Sequence, residues 1–219
     1  MKRIHAVYGA GGYGREVMPI LRTSVDEQTA VMFVVDDVVV STTINGHYVI
    51  SYTEFCQLDA DAKYFTIAIA DSAARQRIYN RCIEDGLLPA SVLANNVVMM
   101  DDVSIGTGAI LSPFCCLTSN ISIGVCFHAN IYSYIGHDCR IGDFVTLAPG
   151  VKCNGNVVIE DHVYIGAGAI IKPGSIEHPT VIGRGAKIGM GAVVIQSVAE
   201  GAEVFGNPAR VFAIKKPSM

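Results

Sequence analysis

The chain has 219 residues, 51 % of them hydrophobic and 16 % charged, with a net charge of −4. That is enough apolar material for one large domain or two small ones. The charge lacks the basic footprint of a nucleic-acid binder, and apolar runs such as Val31–Val35 are far short of the ~20 residues of a membrane span.

The N-terminus, MKRIHAVYGAGG, leads straight into a strand and a glycine loop, without the longer apolar stretch of a cleavable signal. Ile4–Tyr8 reads as a strand, and GAGGYGRE after it places Gly9, Gly11 and Gly14 in a G-x-G-x-x-G pattern that opens a helix over 12–22. Such glycines let backbone N–H groups at a helix N-terminus approach a phosphate. A second strand, Val31–Val35, ends in Asp36-Asp37, carboxylates placed to bind ribose hydroxyls. Asn45-Gly46 is a hairpin signal, Tyr64–Ala70 a third strand, and Ser72–Glu84 a helix ended by Asp85-Gly86. Fewer than ninety residues make half of a dinucleotide fold, which favours a mononucleotide over NAD.

From Leu93 the pattern changes. Every sixth residue through Leu111, Ile123, Ile135, Leu147 and Ile159 to Ile171 is apolar, and the residue four further on is uncharged throughout. A period of six fits neither a helix nor a lone strand. It fits a hexapeptide β-helix, with three six-residue faces to a coil of eighteen. The large residue fills the coil, the +4 residue points inward near a corner, and the glycine of the recurring Ile-Gly pairs lets the chain turn. Ile171 to Ile182 breaks the phase, so KPGSIEHPT, near 172–181, carries about five extra residues as a loop. The chain closes with a strand that leaves the stack at Gly206-Asn207-Pro208. Two domains are expected: 1–88, Rossmann-like, and 89–219, the β-helix.

In IYSYIGHDCRIGDF, residues 131–144, Ile135 is a core position and Cys139 its inward partner. His137 lies between them and faces outward. One coil further on stands Gly155, roughly 4.8 Å away by strand spacing, which leaves open space beside the imidazole. Asp138 is next to the ring and placed to fix its tautomer and raise its basicity. The seven cysteines show no CxxC pairing and read as small buried hydrophobes in a reducing compartment. His128, His137 and His162 lack the geometry of a shared metal site, so no metal is expected.

The two halves together resemble the bacterial nucleotide-linked 4-amino-sugar N-acetyltransferases and their sialic acid O-acetyltransferase relatives. The motifs that carry this are YGAGGYGRE, Asp36-Asp37, AIADSAARQRIY, ANIYSYIGHDCRIGDF, VKCNGNVVI, the interrupted IKPGSIEHPTVIG and the ending GNPAR. The resemblance implies a Rossmann-like α/β domain followed by a left-handed parallel β-helix; the hand comes from the family, since crossover rules favour the opposite one. It implies an acyltransferase that uses acetyl-CoA, with His137 as general base and Asp138 beside it. Asn130 would position the amino sugar. Gly11, Gly12, Tyr13, Asp36, Asp37 and Ala70 would hold the nucleotide, dTDP-, GDP- or UDP-linked. Thr146, Gly155, Ala167 and Lys172 would touch acetyl-CoA in a groove between subunits of a homotrimer. A cytoplasmic enzyme of surface polysaccharide or O-antigen synthesis is expected, with no nucleic-acid or membrane partner. A sugar O-acetyltransferase, and a nucleotide-binding trimer without acetyl transfer, stay open as alternatives.

Overall fold

The computed structural model describes residues 2–36 and 42–214, which form two compact units dividing at Ala94–Asn95, with Thr107–Ile110 belonging to the first. In the first unit the elements run β1 (Arg3–Tyr8), α1 (Gly12–Ser24), β2 (Ala30–Val35), β3 (Thr42–Ile44), β4 (His47–Ser51), α2 (Tyr52–Gln57), β5 (Ala62–Ile67), α3 (Ser72–Glu84) and β6 (Leu88–Pro89). They make one sheet in the order β3-β4-β2-β1-β5-β6, parallel except for the β3–β4 hairpin. Asn45 and Gly46 close that hairpin with φ of 51° and 79°, the left-handed values that Asn-Gly tolerates.

The sheet is apolar on both faces because helices cover both. Val7 and Phe33 pack with Val17, Met18 and Leu21 of α1. Ala6, Tyr8 and Val34 face the other way, toward Phe55 of α2 and Ile78 and Cys82 of α3.

The second unit stacks short parallel strands in three columns. Cys116 pairs with Tyr134, Tyr134 with Lys152 and Lys152 with Ile170, each eighteen residues on. Across the inserted loop Val157 pairs with Thr180, twenty-three residues on, so the loop adds five. The interior is built as the period predicts: Leu117, Ile135, Leu147, Cys153, Ile165 and Ile171 are buried, as are the +4 residues Phe127, Ser133, Cys139, Val145 and Val151. Ser133 is the polar member, and its hydroxyl donates to Ala148 O at 2.9 Å and accepts from Val151 N at 3.2 Å. After the last coil, Ala202–Phe205 is met antiparallel by Arg210–Ile214.

How the corners turn differs from the sequence expectation. Every sixth residue from Asp102 to Gly168 has positive φ, between 51° and 76°. The chain therefore turns at the third position after each core residue, whichever side chain stands there. The residues at one corner are Asp102, Asn120, Asp138 and Asn156; at another, Phe114 and Tyr132 stack with centroids 5.0 Å apart. The Ile-Gly glycines are required for a different reason. A Cβ on Gly106 would lie 2.6 Å from Gly124 C, and one on Gly136 would lie 2.6 Å from Gly155 N. The backbones of successive coils pass too closely there for any side chain.

The first coil also departs from the pattern. Met99 keeps the core phase but is 47 % exposed, because its strand ends its sheet and no further coil covers it. Among the described residues no helix is long and apolar enough to cross a membrane.

Gly106→Ala should lower stability by about 1–3 kcal/mol, the usual range for overpacking a filled interior. Thermal unfolding checks this, and an unchanged midpoint would remove close coil approach as the reason for the glycine.

Candidate active site

The first unit presents a helix end and a carboxylate. Gly9 takes φ of 105° at the close of β1, and its N–H bonds Val34 O at 2.9 Å. Gly14 is needed for packing, since a Cβ there would lie 1.9 Å from Gly9 O. Gly11 and Gly12 have open space where a side chain would project. Gly11 caps α1 without a side-chain bond, and the first turn, which includes Tyr13, has no acidic residue. The positive end of the helix dipole is left uncompensated beside bare backbone, an arrangement that suits a phosphate.

Asp36 follows β2 but is not a free carboxylate. Its Oδ1 accepts from Tyr8 OH at 2.5 Å and from Arg81 Nη2 at 2.7 Å, and Arg81 also donates to the Tyr8 hydroxyl. The Arg81 guanidinium lies 4.0 Å above the Tyr52 ring, and Tyr52 OH donates to Asp85 at 2.5 Å. These bonds, Tyr8 first and then Arg81, hold the Asp36 carboxyl below its ordinary range. Only Oδ2 remains for a ligand. Arg81 was not legible in the sequence: it is forty-five residues from Asp36, on a helix that no motif connects to that strand. The exposed Ala70 gives its carbonyl, with that of Ile69, to the buried Arg75, at 3.3 and 2.8 Å. Asp37 lies outside the described residues.

The second unit carries the imidazole. His137 stands outward at the Asx corner, its side chain 63 % exposed. Its Nδ1 is 2.7 Å from Asp138 Oδ2. Asp138 is held below its ordinary range, first by the His137 bond and then by an Asn120 bond, so it is an ionised acceptor. The proton of the contact therefore sits on Nδ1, which in the neutral ring leaves the lone pair on Nε2. A Cβ on Gly155 would meet Nε2 at 2.6 Å and Cε1 at 2.7 Å, so the ring lies against this glycine. The Gly155 carbonyl accepts from Gly174 N at 3.0 Å, while its own N–H has no partner among the described residues.

The other expected contacts spread around the coil. Lys172 is exposed at the His137 corner, and Ala167 is exposed at the corner that also carries Asn130. Thr146 is buried on the strand Thr146–Leu147, between His128 and Tyr164. The Asn130 amide donates to Leu147 O at 2.9 Å. Asn130 and His137 thus stand at different corners of one chain. Beside Asp138 runs a groove of about 440 Å³, lined by Asp102, Asn120, Arg140, Asn156 and Ile176 among others. The described residues contain no group of three or more His, Cys, Asp or Glu able to hold a metal.

Gly155→Ala should drive the ring from its seat while the backbone, whose φ suits alanine, keeps its course. Turnover is expected to fall about tenfold or more with an unchanged melting midpoint; wild-type turnover would show that the seat is not used.

Residues 6–82 match the PglD N-terminal domain family. The chain is 48 % identical over 211 residues to a GDP-perosamine N-acetyltransferase of Escherichia coli O157:H7, covering 94 % of this chain and 95 % of that protein. Among solved structures, WeeI from Acinetobacter baumannii AYE superposes with a TM-score of 0.91 at 52 % identity, covering 96 % of this chain and 100 % of that one. The acetyltransferase domain of PglB from Neisseria gonorrhoeae FA1090, in complex with acetyl coenzyme A, gives 0.83 at 25 % identity, covering 97 % and 100 %.

Proposed function

The chain belongs to the hexapeptide-repeat N-acetyltransferases of nucleotide-linked amino sugars, and from that membership we propose that it acetylates the 4-amino group of a GDP-linked 4-amino-4,6-dideoxyhexose of the perosamine kind. Acetyl-CoA is the donor. The near full-length similarity to a GDP-perosamine N-acetyltransferase is the observation that carries the substrate.

In the proposed mechanism the neutral sugar amine attacks the thioester carbonyl of acetyl-CoA directly. A C–N bond forms and the C–S bond breaks. Nε2 of His137 takes the amine proton and passes it to the departing coenzyme A sulfur. Asp138 holds the Nδ1–H tautomer and stabilises the imidazolium. The N–H of Gly155, which has no partner among the described residues, is the proposed donor to the oxyanion. No covalent enzyme intermediate is needed, and Cys139 and Cys153 are buried inside the coil.

The nucleotide is assigned to Gly11, Gly12, Tyr13 and the α1 dipole, with Asp36, Asp37 and the Ala70 segment completing the contacts. Coenzyme A is assigned to a groove between two copies, where Gly155 and Lys172 of the His137 corner and Ala167 of the Asn130 corner, with Thr146, would touch it. Asn130 and His137, at separate corners of one chain, reach a common substrate where two copies meet, which supports a homotrimer as the working unit. The proposed place of action is the cytoplasm, in the building of a surface polysaccharide such as O-antigen.

A thiol-release assay with acetyl-CoA against GDP-, dTDP- and UDP-linked 4-amino sugars tests the substrate. Turnover is expected with the GDP-linked amine and not with its 4-hydroxy counterpart; equal rates with the hydroxyl compound would make the protein an O-acetyltransferase. His137→Asn should lose about 10²–10⁴-fold in kcat and keep nucleotide-sugar affinity. Full turnover in that variant would discard the base.

A further inference from the structure

Asp138 has two carboxylate oxygens, and His137 uses one. The other, Oδ1, accepts from Nδ2 of Asn120 at 3.1 Å. An ionised carboxylate only accepts, so the amide must present its nitrogen. Asn120 stands one coil before Asp138, at the same corner, and both have left-handed φ, 59° and 58°. The backbone fixes both residues: Asn120 N donates to Asp101 O at 3.0 Å, and Asp138 N donates to Ser119 O at 3.1 Å. A carboxylate bonded through both oxygens, to partners on two coils, cannot rotate without breaking one bond.

We infer that Asn120 is a positioning residue for acetyl transfer: by holding the second oxygen of Asp138 it fixes the plane of that carboxylate and, through it, the orientation of the His137 ring. This rests on His137 being the base. It adds a member to the site, Asn120, that lies one coil before Asp138 and acts through it.

The arrangement has a chemical consequence. The Asn120 amide draws on the same negative charge that Asp138 offers to the imidazole. Without it the whole charge faces His137, and the imidazolium form is favoured. The acid limb of the kcat/KM profile, which requires neutral His137, then moves to higher pH. The other titratable groups near the pair are Asp101 and Asp102 two coils before it, Arg140 on the adjoining strand, Cys139 behind the corner and Lys172 two coils after it. Among the described residues none of their side chains hydrogen-bonds the Asp138 carboxylate or the His137 ring. All are unchanged in the variants below.

Two substitutions keep the left-handed backbone: Asn120→Gly removes the amide, and Asn120→Asp keeps its shape but replaces the donor with a second carboxylate. Melting curves establish that each folds. For Asn120→Gly, kcat is expected to fall about tenfold with KM for both substrates unchanged, and the acid limb to rise. For Asn120→Asp the limb should also rise, since Asp138 then has a second carboxylate beside it in place of an amide donor. A loss of kcat in folded protein with the limb unmoved, or wild-type kinetics, overturns the inference. His137→Asn, measured alongside, separates the two levels: retained turnover removes the base and the positioning role together. Lost turnover in that variant, with wild-type limbs in both Asn120 variants, removes the positioning role alone.

Discussion

The second unit depends on a backbone constraint: from Asp102 to Gly168 its coils enter the left-handed region at every sixth residue. For residues other than glycine that conformation costs roughly 1–2 kcal/mol. Asn and Asp bear it best, because their short polar side chains find local hydrogen bonds. At the corner that carries His137 the turning residues are Asp102, Asn120, Asp138 and Asn156. A column of Asx residues eighteen apart brings carboxylates and amides into contact between coils. The carboxylate beside the imidazole stands at a turning position whose left-handed φ, 58°, an Asp bears at low cost. The proposed chemistry uses a group that also makes the turn.

From this follows the form of the site. The proposed base, His137, sits on a stack whose backbone bonds run from coil to coil, such as Asn156 N to His137 O at 2.9 Å. Gly155 gives the ring a seat, and Asp138 determines which nitrogen carries the proton. The first unit works by other means, a bare helix end and an acid clamped by Tyr8 and Arg81.

Much of this was legible in the sequence, for identifiable reasons. A six-residue period fixes phase over many coils, so the outward His137, the stacked Gly155 and the buried Cys139 and Cys153 followed from counting. The turn position did not, because the residues there share a backbone angle and no chemical type: Asp102, Gly108, Phe114, Asn120, Cys126 and Tyr132 succeed one another. The Ile-Gly glycines therefore attracted a role in turning that belongs to their neighbours two residues on. The Asp36–Arg81 pair escaped notice because it joins distant elements through the sheet's topology. The Asn120–Asp138 bond was within reach of the eighteen-residue count, once Asn120 was recognised as a corner residue.

The account turns on the proton between His137 and Asp138, and nitrogen-15 NMR of the imidazole at neutral pH observes it directly. It predicts neutral His137 as the Nδ1–H tautomer, with Nε2 unprotonated. An Nε2–H tautomer would leave no lone pair on the nitrogen assigned to the amine proton and would contradict the account.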